Sequence, residues 1–289
     1  MKKYRFKMNL FYLPALAVMM LFVVYPMIEA VRVSFTQWNG YSQYSSYIGL
    51  KNYLKMLTDK NLWTAFRNTL VYGFGSVVLQ NVTGFLLAMF LNTRFRGHSV
   101  VRTVIYLPVM ISNLIMGYVM YFFVQYDGGV LNEILGWFGR APADWMADGT
   151  RGVVIITLIN SLQYVGIYMV IYMAGLQNIP TVYYEAATID GAGTWQKFRS
   201  ITLPLIGPAM SSAVVLSLIG GLKLFDVVVS LSNGGPGFRT HSLSSYINNQ
   251  YFEAQNAGYA AAVGIVTFFF ILIVSKAVTS YFDRREVQM

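Results

Sequence analysis

Three groups of polar residues interrupt a chain that is otherwise largely apolar. Asn160, Gln163, Tyr164 and Tyr168 recur at helical spacing and so share one face of a helix. Ser217, Gly220, Gly221 and Leu224 do the same in a later apolar stretch, which also holds Lys223 and Asp226. The third group is Glu185, Asp190, Lys197 and Arg199, around the glycines Gly191 and Gly193. Amides, hydroxyls, flat rings and glycines are groups for binding and passage rather than for making bonds. Lys223 and Asp226, at i,i+3, are expected to share a helix face and pair. They read either as a structural ion pair or as one wall of a polar path. A cation beside Asp226 keeps it ionised, which does not resemble a proton relay. The amide and hydroxyl faces read either as interhelical hydrogen bonding or as a lining. Cysteine is absent, and His98 and His241 are the two histidines, so thiolate chemistry and histidine-rich metal sites are excluded within this chain. Acids within the apolar stretches are too few for an acid–base site. There is no G-x-x-x-x-G-K-[ST] phosphate cradle. No catalytic residue, cofactor or metal is expected in this chain, and if ATP drives it, another chain binds the nucleotide.

The elements that must position these groups are membrane helices. The 289 residues are 56% hydrophobic and 11% charged, whereas a soluble domain is about a quarter charged. Lys2, Lys3, Arg5 and Lys7 precede an apolar run over 10–31. This run is longer than the core of a secretory signal, about 7–15 residues, and is read as a retained first span. Further spans are expected at 65–91, 103–124 with a kink at Pro108, 152–176, 206–231 and 259–282. The fold class is therefore all-α and polytopic, with six transmembrane helices. Residues 50–58 and 130–138 read as short interfacial helices. The chain divides into 1–64 (tail, first helix and outer interfacial segment), 65–282 (the permeation domain) and 283–289 (a C-terminal tail). Lys2, Lys3, Arg5, Lys7, Arg94, Arg96, Arg102, Lys197, Arg199, Arg284 and Arg285 fall on one side in short segments, which makes that side cytoplasmic and places both termini there. The net charge of +9 is thus an orientation signal toward membrane lipid, not a sign of nucleic-acid binding.

The stretch 185–208 reads as two short helices joined by a glycine elbow. Tyr184-Glu185-Ala186-Ala187 starts the first, with an acid in its first turn. Gly191-Ala192-Gly193 makes the bend. Thr194 caps a second helix over 195–201, and Leu203-Pro204 stops it. The order Glu185-Ala186-Ala187, Asp190-Gly191-Ala192 and Ile201-Thr202-Leu203-Pro204 resembles the "EAA loop" of ABC importer permeases, in the form seen in the maltose-type, carbohydrate-uptake permeases. Asn233-Gly234-Gly235-Pro236, with Phe225-Asp226 before it and Gly258-Tyr259 after it, is similar to the first-type member of such permease pairs.

The resemblance implies a type I ABC importer fold in the bacterial plasma (inner) membrane, carrying a sugar or oligosaccharide. It implies a cytoplasmic ATPase-coupling loop made of Glu185, Ala186, Ala187, Asp190, Gly191, Ala192, Gly193, Leu203 and Pro204. It also implies a substrate path along Asn160, Gln163, Tyr164, Tyr168, Ser217, Gly220, Gly221 and Leu224, to which Lys223 and Asp226 are candidates. The implied partners are a second homologous permease, two ATP-binding subunits holding ATP and Mg, and an extracytoplasmic sugar-binding protein. An ion-coupled secondary transporter usually has more helices, internal repeats and intramembrane acids. That reading, an ABC permease for a non-sugar solute and a membrane enzyme are the alternatives.

Overall fold

The structure, a computed structural model, describes residues 12–93 and 95–284. Lys2, Lys3, Arg5, Lys7, Arg94, Arg285 and both chain ends lie outside the described residues. In chain order the helices are α1 (Tyr12–Ser34), α2 (Lys51–Thr58), α3 (Lys60–Leu91), α4 (His98–Met110, its last turn 3-10), α5 (Asn113–Val124), α6 (Val130–Trp137) and α7 (Gly149–Gln177). They continue as α8 (Thr181–Ile189), α9 (Thr194–Leu205), α10 (Gly207–Leu222), α11 (Asp226–Ser232), α12 (Leu243–Asn248) and α13 (Ala257–Asp283). Four helices, α1, α3, α7 and α13, are long and apolar enough to cross a membrane, and two bent pairs bring the candidates to six.

The chain forms two compact units. Among the described residues, one comprises 12–59 and 247–269. In it β1 (Thr36–Gln37) pairs antiparallel with β2 (Ser46–Tyr47), Thr36 opposite Tyr47. Asn52 of α2 donates from Nδ2 to the Ser34 and Thr36 carbonyls at 2.8 and 2.9 Å, and Tyr53 Oη meets Ser34 Oγ at 2.7 Å. This fastens α2 beneath the end of α1. Leu54 and Leu57 stay exposed on its far side, the amphipathic arrangement of an interfacial helix. Leu50 serves as the N-cap residue, so the helix starts one residue later than its periodicity suggests.

The other unit comprises, among the described residues, 60–93, 95–246 and 270–284. Its frame is α3, α7 and α10, packed around Ala88, Met169, Tyr172 and Ala213 at one end. Tyr72, Ile156, Val227 and Val228 form a second apolar cluster. Val78, Val82 and Leu86 are exposed along α3, as a lipid-facing stripe should be. The helices can approach closely because small residues meet at the contacts. A Cβ on Gly221 would stand 2.6 Å from the Tyr72 carbonyl oxygen, and one on Gly73 would stand 2.6 Å from Leu222.

Two expected spans are not continuous helices. The stretch expected as one kinked helix over 103–124 is α4 and α5, broken at Ile111 and Ser112 and bent by 102°. Pro108 sits in the 3-10 turn before the break rather than at a simple kink. The stretch 206–231 is α10 and α11, separated by Lys223, Leu224 and Phe225. Each break exposes backbone that the bilayer core cannot solvate, so a partner must be supplied from inside the protein. Gln163 Nε2 donates to the Ile111 carbonyl at 3.2 Å, and Ser242 Oγ donates to the Leu224 carbonyl at 2.5 Å. The turn after α11 is held in the same way. Asn68 Nδ2 donates to the Arg239 and His241 carbonyls at 2.8 and 3.0 Å, and Tyr72 Oη to the Thr240 carbonyl at 2.7 Å.

Candidate functional site

The two breaks face each other. Asn113 is the first residue of α5 and Asp226 the first of α11. An acid in a helix's first turn is favoured by the helix dipole. Asn113 Nδ2 donates to Asp226 Oδ2 at 3.1 Å, while Asn113 Oδ1 accepts from Tyr164 Oη at 2.6 Å and from Gln163 Nε2 at 3.1 Å. One asparagine thus ties both broken spans to α7. The break also corrects the expected Lys223–Asp226 pair: Lys223 is the C-cap of α10 and Asp226 opens α11, so they share no helix face. No ion pair joins them among the described residues.

Beside this junction lies a cavity of about 300 Å³ between α3, α7, α10 and α11. Asn160, Tyr164 and Tyr168 line it from α7, and Ser217, Gly220 and Gly221 from α10. Leu224, Lys223 and Asp226 close it at the break. Of the residues singled out in the sequence, Gln163 alone is not in the lining. It is fully buried and engaged in the α4–α5 break. Several lining groups already have protein partners. Ser217 Oγ accepts from Asn81 Nδ2 at 2.8 Å and donates to the Val214 carbonyl at 3.0 Å. Asn160 Nδ2 donates to Ser76 Oγ at 3.0 Å. The two glycines differ: a Cβ on Gly220 meets nothing within 4 Å, whereas Gly221 is in tight contact with α3. Gln80 and Asn113 also line the cavity, and sequence reasoning passed over both. The available signal was a polar side chain deep in an apolar stretch, which is costly and so rarely idle.

The loop between α7 and α10 is a helical hairpin, α8 and α9. It departs from the sequence reading at both ends. α8 begins at Thr181 after Pro180, so Glu185 lies in its second turn rather than its first. Pro180 is the N-cap, with extended backbone, and the first turn of α8 holds no acid. The first helix ends in two bonds, Ala192 N–H to the Ala187 carbonyl at 2.8 Å and Gly191 N–H to the Thr188 carbonyl at 3.1 Å, with Gly191 at φ 77°. This is the Schellman closure, which demands a left-handed residue at Gly191. No atom lies within 4 Å of where its Cβ would be, so conformation and not clearance within this chain selects glycine. Gly193, not Thr194, caps α9. Pro204 does not stop that helix, which runs to Leu205. A π-turn over Phe198–Thr202 widens the ladder just before the proline and accommodates its ring. The direction then changes by 64° into α10. Lys197 Nζ donates to Thr188 Oγ1 at 2.8 Å and Tyr184 Oη meets Thr202 Oγ1 at 2.9 Å, joining the two arms. Glu185, Ala186 and Asp190 are exposed, and so are the apolar side chains of Ile189 (87%) and Trp195 (70%).

With paired helix breaks in the bundle and an exposed helical hairpin between two of its spans, the architecture is that of a polytopic helical membrane protein. The chain belongs to the family described as "Binding-protein-dependent transport system inner membrane component", whose model matches residues 80–288. It is 34% identical over 282 residues to the "Probable starch degradation products transport system permease protein AmyD" of Thermoanaerobacterium thermosulfurigenes, covering 97% of this chain and 95% of that one. It is 32% identical over 260 residues to the "Trehalose/maltose transport system permease protein MalF" of Thermococcus litoralis, covering 90% and 88%. The fold matches a crystal structure of a bacterial alginate ABC transporter in complex with an alginate pentasaccharide-bound periplasmic protein, with a TM-score of 0.83, 24% identity and coverage of 96% and 93%. The protein is therefore a multi-pass membrane component of a binding-protein-dependent transport system with the type I importer fold. That membership sets aside the ion-coupled carrier and the membrane enzyme.

Proposed function

We propose that this chain is the permease subunit of an ATP-driven ABC importer, and that it passes a sugar or oligosaccharide received from an extracytoplasmic binding protein. ATP and Mg act on two separate ATPase subunits, and a second homologous permease completes the path. The observation that carries this reading is a continuity of elements. α7 and α10 line the cavity, and α8 and α9 are the hairpin directly between them. A displacement of the hairpin by an ATPase is delivered to two cavity walls at once. The hairpin suits a partner: Ile189 and Trp195 are exposed apolar anchors, and the Glu185 carboxylate is exposed beside them. The cytoplasmic placement of this loop rests on Arg96, Arg102, Lys197, Arg199 and Arg284 among the described residues.

The cavity's chemistry suits carbohydrate. Tyr164 and Tyr168 offer flat faces to sugar C–H groups, and Gln80, Asn160 and Asn113 offer amides to hydroxyls. The two relatives described above, named for starch degradation products and for trehalose and maltose, support the same class. Assembly and ATPase stimulation by sugar-loaded binding protein test the proposal. Glu185→Lys removes a charge-assisted contact with the ATPase, worth about 1.5–3 kcal/mol once buried. Gly191→Asp strains the left-handed turn. Both variants should insert and fold, yet dock ATPases weakly or hydrolyse ATP without responding to loaded binding protein. Full assembly with full stimulation in both would sink the coupling role.

A further inference from the structure

We propose that a second cavity, at the root of the hairpin, is a binding site for the headgroup of an anionic phospholipid. It shares no lining residue with the cavity at the helix breaks and measures about 560 Å³. Its walls are the end of α3, the start of α4, the end of α7 and the first turn of α8. Arg102 supplies the charge in the lining, and His98 stands one turn before it on the same face of α4. No acid lines the cavity, and no ion pair engages Arg102 among the described residues. A guanidinium presents its donors as a fork that fits two oxygens of a phosphate. The imidazole keeps at least one N–H in either protonation state. Asn92, Gln177 and Thr181 add amide and hydroxyl groups around them. A lining of this charge and donor content suits an anion with several oxygens.

The surroundings assign that anion to the bilayer. The cavity sits where the bundle leaves the apolar layer: α3 ends at Leu91 and α7 at Gln177, and both residues line it. Both α3 and α4 turn apolar side chains outward at its edge. Thr93, in the lining, donates from its N–H and its Oγ1 to the Phe90 carbonyl, at 3.3 and 2.6 Å. It therefore stands within a turn of the exposed Phe90, with exposed Leu86 a turn further along α3. On α4, Val100, Val104 and Leu107 form an exposed apolar stripe on the face opposite Arg102. A lipid can thus lay its chains along apolar surface and its phosphate against Arg102. The hairpin's exposed apolar residue Ile189 lies at the far end of α8, about 12 Å along the helix from Thr181, which leaves the root to the membrane. Basic pockets between membrane helices on the cytoplasmic side bind acidic headgroups, and the charge asymmetry that orients this chain puts the cavity on that side.

The test uses the chain purified with the subunits that accompany it, in phosphatidylcholine nanodiscs. Phosphatidylglycerol carrying a diazirine at the top of one acyl chain is added as a minor component, and phosphatidylcholine with the same group is the comparison. Crosslinks are mapped by peptide mass spectrometry. The phosphatidylglycerol probe should label 92–104 severalfold more than the phosphatidylcholine probe. Unlabelled phosphatidylglycerol should compete, and soluble glycerol 3-phosphate should not. Arg102→Gln should reduce this labelling about fivefold, the effect of one arginine at an anionic surface, and Arg102→Lys should retain most of it. Arg102 is exposed, so subunit yield and labelling elsewhere on the chain should stay unchanged in both variants. Equal labelling by the two probes, or full labelling of Arg102→Gln, overturns the inference. Displacement by glycerol 3-phosphate overturns the lipid assignment and makes the cavity a site for a soluble phosphate. Labelling that appears only after the accompanying subunits are stripped away shows that a protein partner covers the cavity, and overturns the inference as well. The functional reading above is tested apart from all of these, by ATP-driven sugar uptake.

Discussion

Asn113 joins more of the site than any side chain the sequence singled out. Through one amide it donates to Asp226 and accepts from Tyr164 and Gln163. Its replacement removes one hydrogen bond each from Gln163, Tyr164 and Asp226, and each lost bond costs about 0.5–1.5 kcal/mol. Asn113→Leu should therefore lower the thermal stability of the purified complex and impair uptake together. An unchanged melting curve with normal uptake would show that the junction is dispensable. Asn160→Ala acts differently, because it takes one donor from Ser76 Oγ while the cavity loses an amide. It should reduce uptake with assembly intact, and near-normal transport would return Asn160 to a packing role.

Among the elements, the two broken spans matter most. A continuous helix satisfies its own backbone and offers a membrane cavity little but side chains. A break frees carbonyls, and here Gln163 and Ser242 take them up. The ends of α5 and α11 then project Asn113 and Asp226 toward one point. Neighbouring glycines on α10 separate packing from lining. Gly221→Ala forces its Cβ against the α3 backbone, and such overpacking costs about 1–3 kcal/mol. Gly220→Ala meets no neighbour and should leave stability unchanged while narrowing the cavity. Melting temperature and uptake, measured on both variants, check the contrast. Equal destabilisation of the two would contradict the geometry. In the hairpin, Gly191→Ala should cost roughly 1–2 kcal/mol for a side chain in the left-handed region, read as a lower melting temperature.

For the whole molecule the open quantity is sidedness. Single cysteines at Ala141 and Ser200, both exposed positions, report it in a chain without cysteine of its own. An impermeant thiol reagent should label Ala141→Cys in intact cells and Ser200→Cys only after permeabilisation. The opposite pattern would invert the topology and place the hairpin away from ATP. The outcome follows from charge: moving Arg or Lys across the bilayer is costly, so short basic segments stay inside.

Composition alone was enough for a helical membrane protein with six apolar stretches, because hydropathy sums over neighbours in sequence and needs no tertiary contact. The hairpin's order was legible for a similar reason. Gly191 and the spacing from Ala187 to Ala192 specify a local closure through bonds only a few residues apart. The exact entry at Thr181, the cap at Gly193 and the passage through Pro204 were not legible, since flanking turns can trade one cap for another at little cost. Helical spacing also brought Asn160, Tyr164 and Tyr168 onto one face, and they do line one cavity. What only the tertiary structure decided was where the spans break and which polar groups meet there. Lys223 and Asp226 looked like one helix face because periodicity assumes a continuous helix. Ser242, Gln163 and Asn113 make the breaks possible from positions 18, 52 and 113 residues away in the chain. No local pattern encodes a partner so remote. The cavity at the root of the hairpin is likewise legible only in the folded molecule, because α3, α4, α7 and α8 must meet to make its lining.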